Sequence, residues 1–423
     1  MNENQLIVGI QEKPSSIGKW LILSLQHVFA MFGATVLVPI LTGLDVGVAL
    51  VASGIGTLIY IFLTKAKVPV YLGSSFAYIP AIQAAVASQA GVASAYMGLM
   101  VVGLIYVAVA FFIKAFGSEW LKKLLPPVVI GPMIIIIGMT LAPVAINSSG
   151  FDGSKGWETP LVAAVTFLAV VILSTKAKGF LKIVPFLVAI FIGYIVAVIV
   201  GLVDLKAAFE SVNFFQLPKF SFIGTYALDF TAIGMFAPLA FVTIAEHIGD
   251  HVVLGEITGK DFISDPGLDK TLMGDGVATF FAAAIGGPAN TTYGENTGVV
   301  AITKVGSVWV TGLAACFAVL LGFFGYIQAF INSIPGAVIG GMTIVLYGLI
   351  AANGVKILIK NRTDLGNMKN LIIVSTMLVI GLGGASLNFT ELFKLSGMSF
   401  AAIIGILLNL FITLLENIGS KKA

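Results

Sequence analysis

Long uncharged apolar runs constrain this chain more than any other feature. Residues 128–146 contain no ionisable side chain, and the run that begins at Trp20 extends through Leu41. A helix needs roughly 20 apolar residues to span the hydrocarbon of a bilayer, and many segments here reach that length. Composition closes the alternative. A soluble chain of 423 residues would be expected to form two or three domains. Here 58% of residues are hydrophobic and 10% charged, whereas soluble domains carry about 25% charged residues. The solvent for this chain is lipid.

Several classes are excluded at once. The net charge of +3 gives no basis for nucleic-acid binding. The lone Cys316 sits in an apolar run, so neither a disulfide framework nor a cysteine metal site is expected. Residues 1–17 are polar and the first apolar segment is followed by many more, which argues against a cleaved signal peptide. No G-x-x-x-x-G-K-[ST] run occurs, so no Walker-type ATP site is expected. No cofactor and no metal are expected.

Fourteen apolar segments can be read, with cores near 18–41, 46–64, 68–88, 92–115, 126–147, 158–174, 180–202, 231–254, 271–286, 288–303, 307–331, 334–354, 369–386 and 397–416. Charge tests the count, because cytoplasmic loops carry the excess of Lys and Arg. With the N-terminus cytoplasmic, nineteen of the 23 Lys and Arg fall inside. Only Lys155, Lys206, Lys219 and Lys394 fall outside. The expectation is a cytoplasmic segment 1–17, a seven-span repeat 18–202, an outer linker 203–230, a second seven-span repeat 231–416 and a cytoplasmic tail 417–423.

The two halves match one another. Ser53–Gly56 (SGIG) corresponds to Met273–Gly276 (MGDG), and Gln26-His27 to Glu246-His247, both at a shift of 220. Val68-Pro69 lies 219 residues before Gly287-Pro288. PPVVIGPM (Pro126–Met133) matches PGAVIGGM (Pro335–Met342). Two halves of seven spans must insert in opposite orientations. Such inverted repeats characterise secondary transporters and place a binding site near the midplane between the halves. The fold expected is therefore all-α and polytopic, with fourteen transmembrane segments in two inverted repeats.

The third and tenth segments are broken. KVPVYLGSSFAYIP (Lys67–Pro80) and GGPANTTYGENTGVV (Gly286–Val300) interrupt apolar sequence with Pro, Gly, Ser, Thr and Asn. Unwound backbone at membrane depth survives only where protein or a ligand takes up its N–H and C=O groups. Each is read as a short extended piece followed by a half-helix whose positive N-terminal end faces the midplane.

Glu246, Asp250, Asp275 and Glu295 fall inside expected spans. An intramembrane carboxylate costs about 2.5–3.5 kcal/mol on insertion scales, so such residues usually serve function. Glu246 and Asp250 are four apart and share a helical face. Two carboxylates so close in low dielectric resist double ionisation, as a proton-coupling site requires. Asp250 could alternatively be an ion-paired or solvated helix end, and Asp275, near a span boundary, could be structural. His247 and His251 also share a face, but Glu246 precedes the first histidine instead of following it, unlike H-E-x-x-H. No third ligand is evident beyond Asp250, which disfavours a metal site. His27, beside Gln26, is read as an interhelical hydrogen-bonding residue.

These motifs carry a resemblance. ENTGVVAITK (Glu295–Lys304) resembles the signature of the nucleobase–ascorbate transporters, also called nucleobase:cation symporter family 2. SLQHVFAMFGATVLVP (Ser24–Pro39), YLGSSFAY (Tyr71–Tyr78), AEHIG (Ala245–Gly249) and NTTYGENTG (Asn290–Gly298) are similar to the uracil-carrying bacterial members. A Glu at the head of the signature, preceded by Tyr-Gly, favours uracil over purines. The resemblance implies a core domain of about 18–115 and 231–331 and a gate domain of about 126–202 and 334–416. It implies a substrate lying between the two extended pieces. Glu246 and Glu295 would accept from the ring N–H groups, and backbone N–H groups of Phe76 and Gly294 would donate to the ring carbonyls. Gln26, His27, Tyr293 and Asn296 would support the site. Asp250 departs from the A-E-H-x-G-H pattern, which leaves open whether H⁺ or Na⁺ is the coupling ion. A homodimer in the cell membrane, importing uracil by proton symport, is the expectation.

Purine or inorganic-anion carriers of the same architecture are the alternatives within the class. An anion site should lack two inward carboxylates. An intramembrane enzyme would need a nucleophile–base pair or a metal cluster, and a channel would have no need of paired broken helices.

Overall fold

Lipid offers the backbone no hydrogen-bonding partners, so a spanning chain must satisfy its own amides within each segment. The computed structural model answers that demand almost entirely with helix. It describes residues 6–88, 91–182, 184–226, 229–390 and 393–420. Residues 1–5 of the expected N-terminal segment and 421–423 of the expected tail, including Lys421 and Lys422, lie outside the described residues.

The first half comprises α1 (Ile17–Thr42), α2 (Val46–Leu63), strand β1 (Leu72–Ser74), α3 (Ile79–Val86), α4 (Gly91–Phe116), α5 (Glu119–Leu124), α6 (Pro127–Thr140), α7 (Ala142–Ser149), α8 (Glu158–Lys176) and α9 (Pro185–Ile199). After α10 (Leu205–Phe209) come α11 (Phe230–Thr258), α12 (Leu268–Ala284), strand β2 (Asn290–Thr292), α13 (Gly294–Thr303), α14 (Val308–Gly322) and α15 (Gly325–Asn332). Then follow α16 (Gly336–Lys360), α17 (Met368–Leu382), a β3–β4 hairpin (Ser386–Thr390 and Phe393–Ser396) and α18 (Gly397–Ser420). Among the described residues, eight helical stretches are long and apolar enough to cross a membrane, and four shorter apolar helices accompany them. The chain is a multi-pass helical membrane protein.

Local signals set the helix ends. Ser16 caps α1 by accepting from the Lys19 N–H, and α1 stops at Gly43, whose φ of 74° is open to glycine at little cost. Asp229 caps the long α11 through the N–H groups of Thr231 and Ala232. Helices then approach through glycine. A Cβ on Gly54 would lie 2.4 Å from the Ala315 carbonyl oxygen of α14. One on Gly276 would lie 2.6 Å from Tyr106 Cβ and 2.9 Å from the Gly103 carbonyl oxygen of α4. These glycines belong to the SGIG and MGDG motifs, so the motifs mark where backbones touch. The result is α12 against α4 and α2, with α14 against α2 and α1. Elsewhere α16 lies against α6, α7 and α8, and α17 against α6 and α18.

The interruptions at 72–74 and 290–292 meet in the interior. β1 and β2 pair antiparallel with Leu72 opposite Thr292, Gly73 opposite Thr291 and Ser74 opposite Asn290. Both strands are buried, so every orphaned amide needs a donor or acceptor from a neighbour. Ser53 Oγ donates to the Leu72 carbonyl at 2.6 Å, and the Leu72 N–H donates to Thr57 Oγ1 at 2.9 Å. On the other strand, Thr279 Oγ1 donates to the Asn290 carbonyl at 3.1 Å, and Asn290 Nδ2 to the Ala52 carbonyl at 3.1 Å. Small polar residues on α2 and α12 thus hold two unwound segments at the centre of a helical protein.

Candidate functional site

Both strands lead directly into short helices whose first residues are Phe76 and Gly294. A helix leaves its first N–H groups without intrahelical acceptors. Ser75 and Tyr293, at the two N-cap positions, make no side-chain cap. The α13 start is fixed from both sides. Tyr293 Oη donates to the Ser74 carbonyl at 2.9 Å, and the Tyr293 N–H to the Tyr71 carbonyl at 3.2 Å. One turn on, Asn296 Nδ2 lies 3.1 Å from both Nδ1 and the carbonyl oxygen of His27 on α1. That bond makes His27 Nδ1 an acceptor and leaves its ring proton on Nε2. Gln26 beside it is half-buried, and its Oε1 has no protein partner.

Glu295 lies between Gly294 and Asn296, so these anchors fix its position. Its side chain is half-buried, as are those of Glu246, Asp250 and Phe76. Among the described residues, neither Glu246 nor Glu295 accepts a side-chain hydrogen bond from another residue. Asp250 does: Thr292 Oγ1 of β2 donates to its Oδ2 at 2.5 Å. Glu246 lies within electrostatic reach of Asp250, Glu295 and Asp275.

Open space adjoins these groups. A Cβ on Gly249, Gly294 or Gly298 would meet nothing within 4 Å. A cavity of about 190 Å³ runs between α1, α9 and α13, lined by Phe29, Phe186, Leu187, Glu295 and Gly298, with Lys182 also on its wall. Ser74 Oγ, Ser75 Oγ, Thr291 Oγ1 and Asn296 Oδ1, around the strand crossing, are buried without protein partners.

The two histidines lie on the next face of α11 and are fully buried. His247 Nδ1 is 2.9 Å from Asp275 Oδ2 on α12. His251 Nδ1 is 2.7 Å from the His247 carbonyl oxygen, and its Nε2 meets the Tyr60 hydroxyl of α2. The rings stack with centroids 4.0 Å apart. Stacked rings do not converge on a common point, as two imidazoles ligating one metal would. Asp275 also corrects the sequence reading. It stands two turns inside α12 with its side chain fully buried, not near a boundary, because α12 begins at Leu268 ahead of the apolar run.

Sequence reasoning missed Thr292, Tyr60, Ser53 and Thr57. Thr292 lay inside the broken NTTYGENTG motif, and its hydroxyl beside unwound backbone was the available signal. Ser53 heads the SGIG motif, but the motif does not say what its hydroxyl bonds; Tyr60 and Thr57 carry no local signal, since their roles depend on which helix packs beside which.

Two short strands pair inside a helical membrane protein, and solved structures share this fold. Superposition on murine Slc26a9, an anion transporter, gives a TM-score of 0.72 at 12% identity, covering 96% of this chain and 69% of that one. The transmembrane domain of the cyanobacterial bicarbonate transporter BicA gives 0.60 at 16% identity, covering 95% and 98%. Sequence then gives the family: the chain belongs to the Permease family, whose model matches residues 18–390. Among its relatives, the uracil permease of Bacillus caldolyticus is 47% identical over 414 residues, covering 97% of this chain and 95% of its own. Those of Bacillus subtilis and Escherichia coli K12 are 44% and 40% identical, each over 97% of this chain and 96% and 94% of their own lengths.

Proposed function

We propose that this protein imports uracil together with protons, by alternating access around the strand crossing. The carrying observation is a pairing of groups: two carboxylates, Glu246 and Glu295, that among the described residues accept no side-chain hydrogen bond from another residue, beside two helix starts at Phe76 and Gly294 without a side-chain cap. Uracil presents two ring N–H donors and two carbonyl acceptors. Carboxylates match the former and backbone N–H groups the latter. The relatives' names support the same substrate.

In this reading fourteen spans form two inverted repeats, both termini are cytoplasmic and the protein lies in the cell membrane. A core domain of about 18–115 and 231–331 carries the site past a gate domain of about 126–202 and 334–416. Gln26, His27, Tyr293 and Asn296 hold the substrate residues in place. Glu246 and Asp250 form the coupling pair, because two carboxylates on one helical face resist double ionisation in low dielectric. Thr292 joins Asp250 to β2, so a change of charge on Asp250 acts directly on the strand that leads to Gly294 and Glu295.

The test is radiolabelled uracil uptake into proteoliposomes under an imposed pH gradient, with sodium present and absent. Accumulation driven by the proton gradient alone is the expected result. Accumulation that requires a sodium gradient replaces the proton with sodium as coupling ion, and accumulation of xanthine in place of uracil moves the substrate to a purine.

A further inference from the structure

Behind the proposed substrate face, α11 presents a second set of ionisable groups with no assigned task. His247 and Asp275 are in hydrogen-bond contact at 2.9 Å, and both side chains are wholly buried. His247 Nε2 and Asp275 Oδ1 have no protein partner. The groups facing this pair are Tyr60 from α2, Tyr78 just ahead of α3 and Tyr106 from α4. On α11 itself stand Glu246, Asp250 and His251. Among the described residues, no Lys or Arg forms an ion pair with any of them.

Proton counting follows from this geometry. A carbonyl oxygen only accepts, so His251 Nδ1, against the His247 carbonyl, carries a proton. A charged ring here would be fully buried without a counter-ion, so the ring is neutral and its Nε2 accepts from the Tyr60 hydroxyl. A net charge on the buried His247–Asp275 pair would have neither solvent nor a counter-ion. The pair stays neutral by holding one proton more than a carboxylate beside a neutral imidazole, whichever partner carries it. We infer that His247 and Asp275 form a second proton-binding site, holding one exchangeable proton behind the substrate carboxylates.

The consequence reaches the substrate. Glu246 is the neighbour of His247 in the chain and within electrostatic reach of Asp275. Loss of the shared proton leaves an uncompensated Asp275 charge beside carboxylates that must accept from the ligand. The contribution of the dyad to folding and to binding is therefore present below its titration point and is lost as pH rises through it.

The inference rests on the uracil reading only for its binding arm, so the experiment has two arms. In the first, uracil affinity of the purified full chain is measured across an alkaline pH series for the parent and for Asp275→Asn. One fewer linked proton makes the fall in affinity shallower by about tenfold per pH unit in the variant. In the second arm, without uracil, the His247 resonance of isotope-labelled histidine in the parent is followed by NMR and assigned with His247→Gln. It should shift through one step over the same pH range. Equal slopes for parent and Asp275→Asn, or a His247 resonance that never moves, overturns the inference. A parent that binds no uracil refutes the substrate reading instead, and the NMR arm still decides the dyad. Should Asp275→Asn fail to fold, the parent resonance alone decides between a titrating and a silent dyad.

Discussion

Two adjacent faces of α11 carry ionisable residues under opposite regimes. On one face Glu246 and Asp250 are half-buried, Glu246 accepts no side-chain hydrogen bond among the described residues, and Gly249 borders open space. On the next face His247 and His251 are fully buried, stacked on each other and bonded to Asp275 and Tyr60. A single residue step along the helix, about 100° of rotation, separates them. On the open face Asp250 is held by Thr292 while Glu246 accepts from no other described residue, which leaves a carboxylate for a ligand. The closed face is tied to neighbouring helices through Asp275 and Tyr60, with His247 Nε2 and Asp275 Oδ1 left unpartnered inside it. Mutations on the two faces should therefore be felt in different measurements.

The sharpest break is Glu246→Gln. The amide keeps the size but turns one acceptor into a donor facing a ligand N–H. Loss of a hydrogen bond to a charged group costs about 1.5–3 kcal/mol, or roughly ten- to over a hundred-fold in affinity. Titration calorimetry with uracil should record that loss while the thermal unfolding midpoint stays where it was. A large drop in the midpoint would make Glu246 a structural residue and merge the two faces.

His251→Leu should show the converse. It strands the Tyr60 hydroxyl in the interior, which costs about 1–3 kcal/mol of stability. Adding Tyr60→Phe should recover most of it, because two apolar partners leave nothing unsatisfied. Unfolding curves of the two single variants and the double variant give the coupling energy, and strict additivity would mean that the bond contributes nothing.

Thr292→Val lies between the regimes. It preserves shape and removes only the donor to Asp250, an effect of about 0.5–1.5 kcal/mol. Proton-driven uptake should suffer more than uracil binding; equal damage to both would detach Thr292 from coupling. The smallest effect belongs to Gly249→Ala. An added methyl meets nothing within 4 Å, and alanine in a helix interior is favoured over glycine by about 0.5–1 kcal/mol. The variant should be slightly more stable, and any loss of affinity would measure how closely the substrate passes α11.

Much of this was legible in the chain. Apolar runs of spanning length are a one-dimensional property, so residues 17–42, 91–116 and 230–258 could be read as helices directly. The breaks at 72–74 and 290–292 were visible because Pro, Gly, Ser and Asn at membrane depth contradict their surroundings. Glu246 and Asp250 share a face through helix periodicity alone. Asp275 could not be judged from local sequence, since α12 opens with Leu268, Asp269 and Lys270 and its apolar run starts late.

The sequence by itself determined the membrane as solvent, the long helices, the two interruptions and the carboxylates on α11. Each of these depends on residues within a turn or two of one another, or on repeated words such as SGIG and MGDG. Tertiary structure decided which atoms those residues meet. Leu72 pairs with Thr292, Asn296 with His27, His247 with Asp275 and Tyr60 with His251. Those contacts join residues between 28 and 269 positions apart, so no local periodicity encodes them. They arise when glycines let α2, α4, α12 and α14 approach backbone to backbone, and whether a carboxylate then faces a partner or open space depends on that packing.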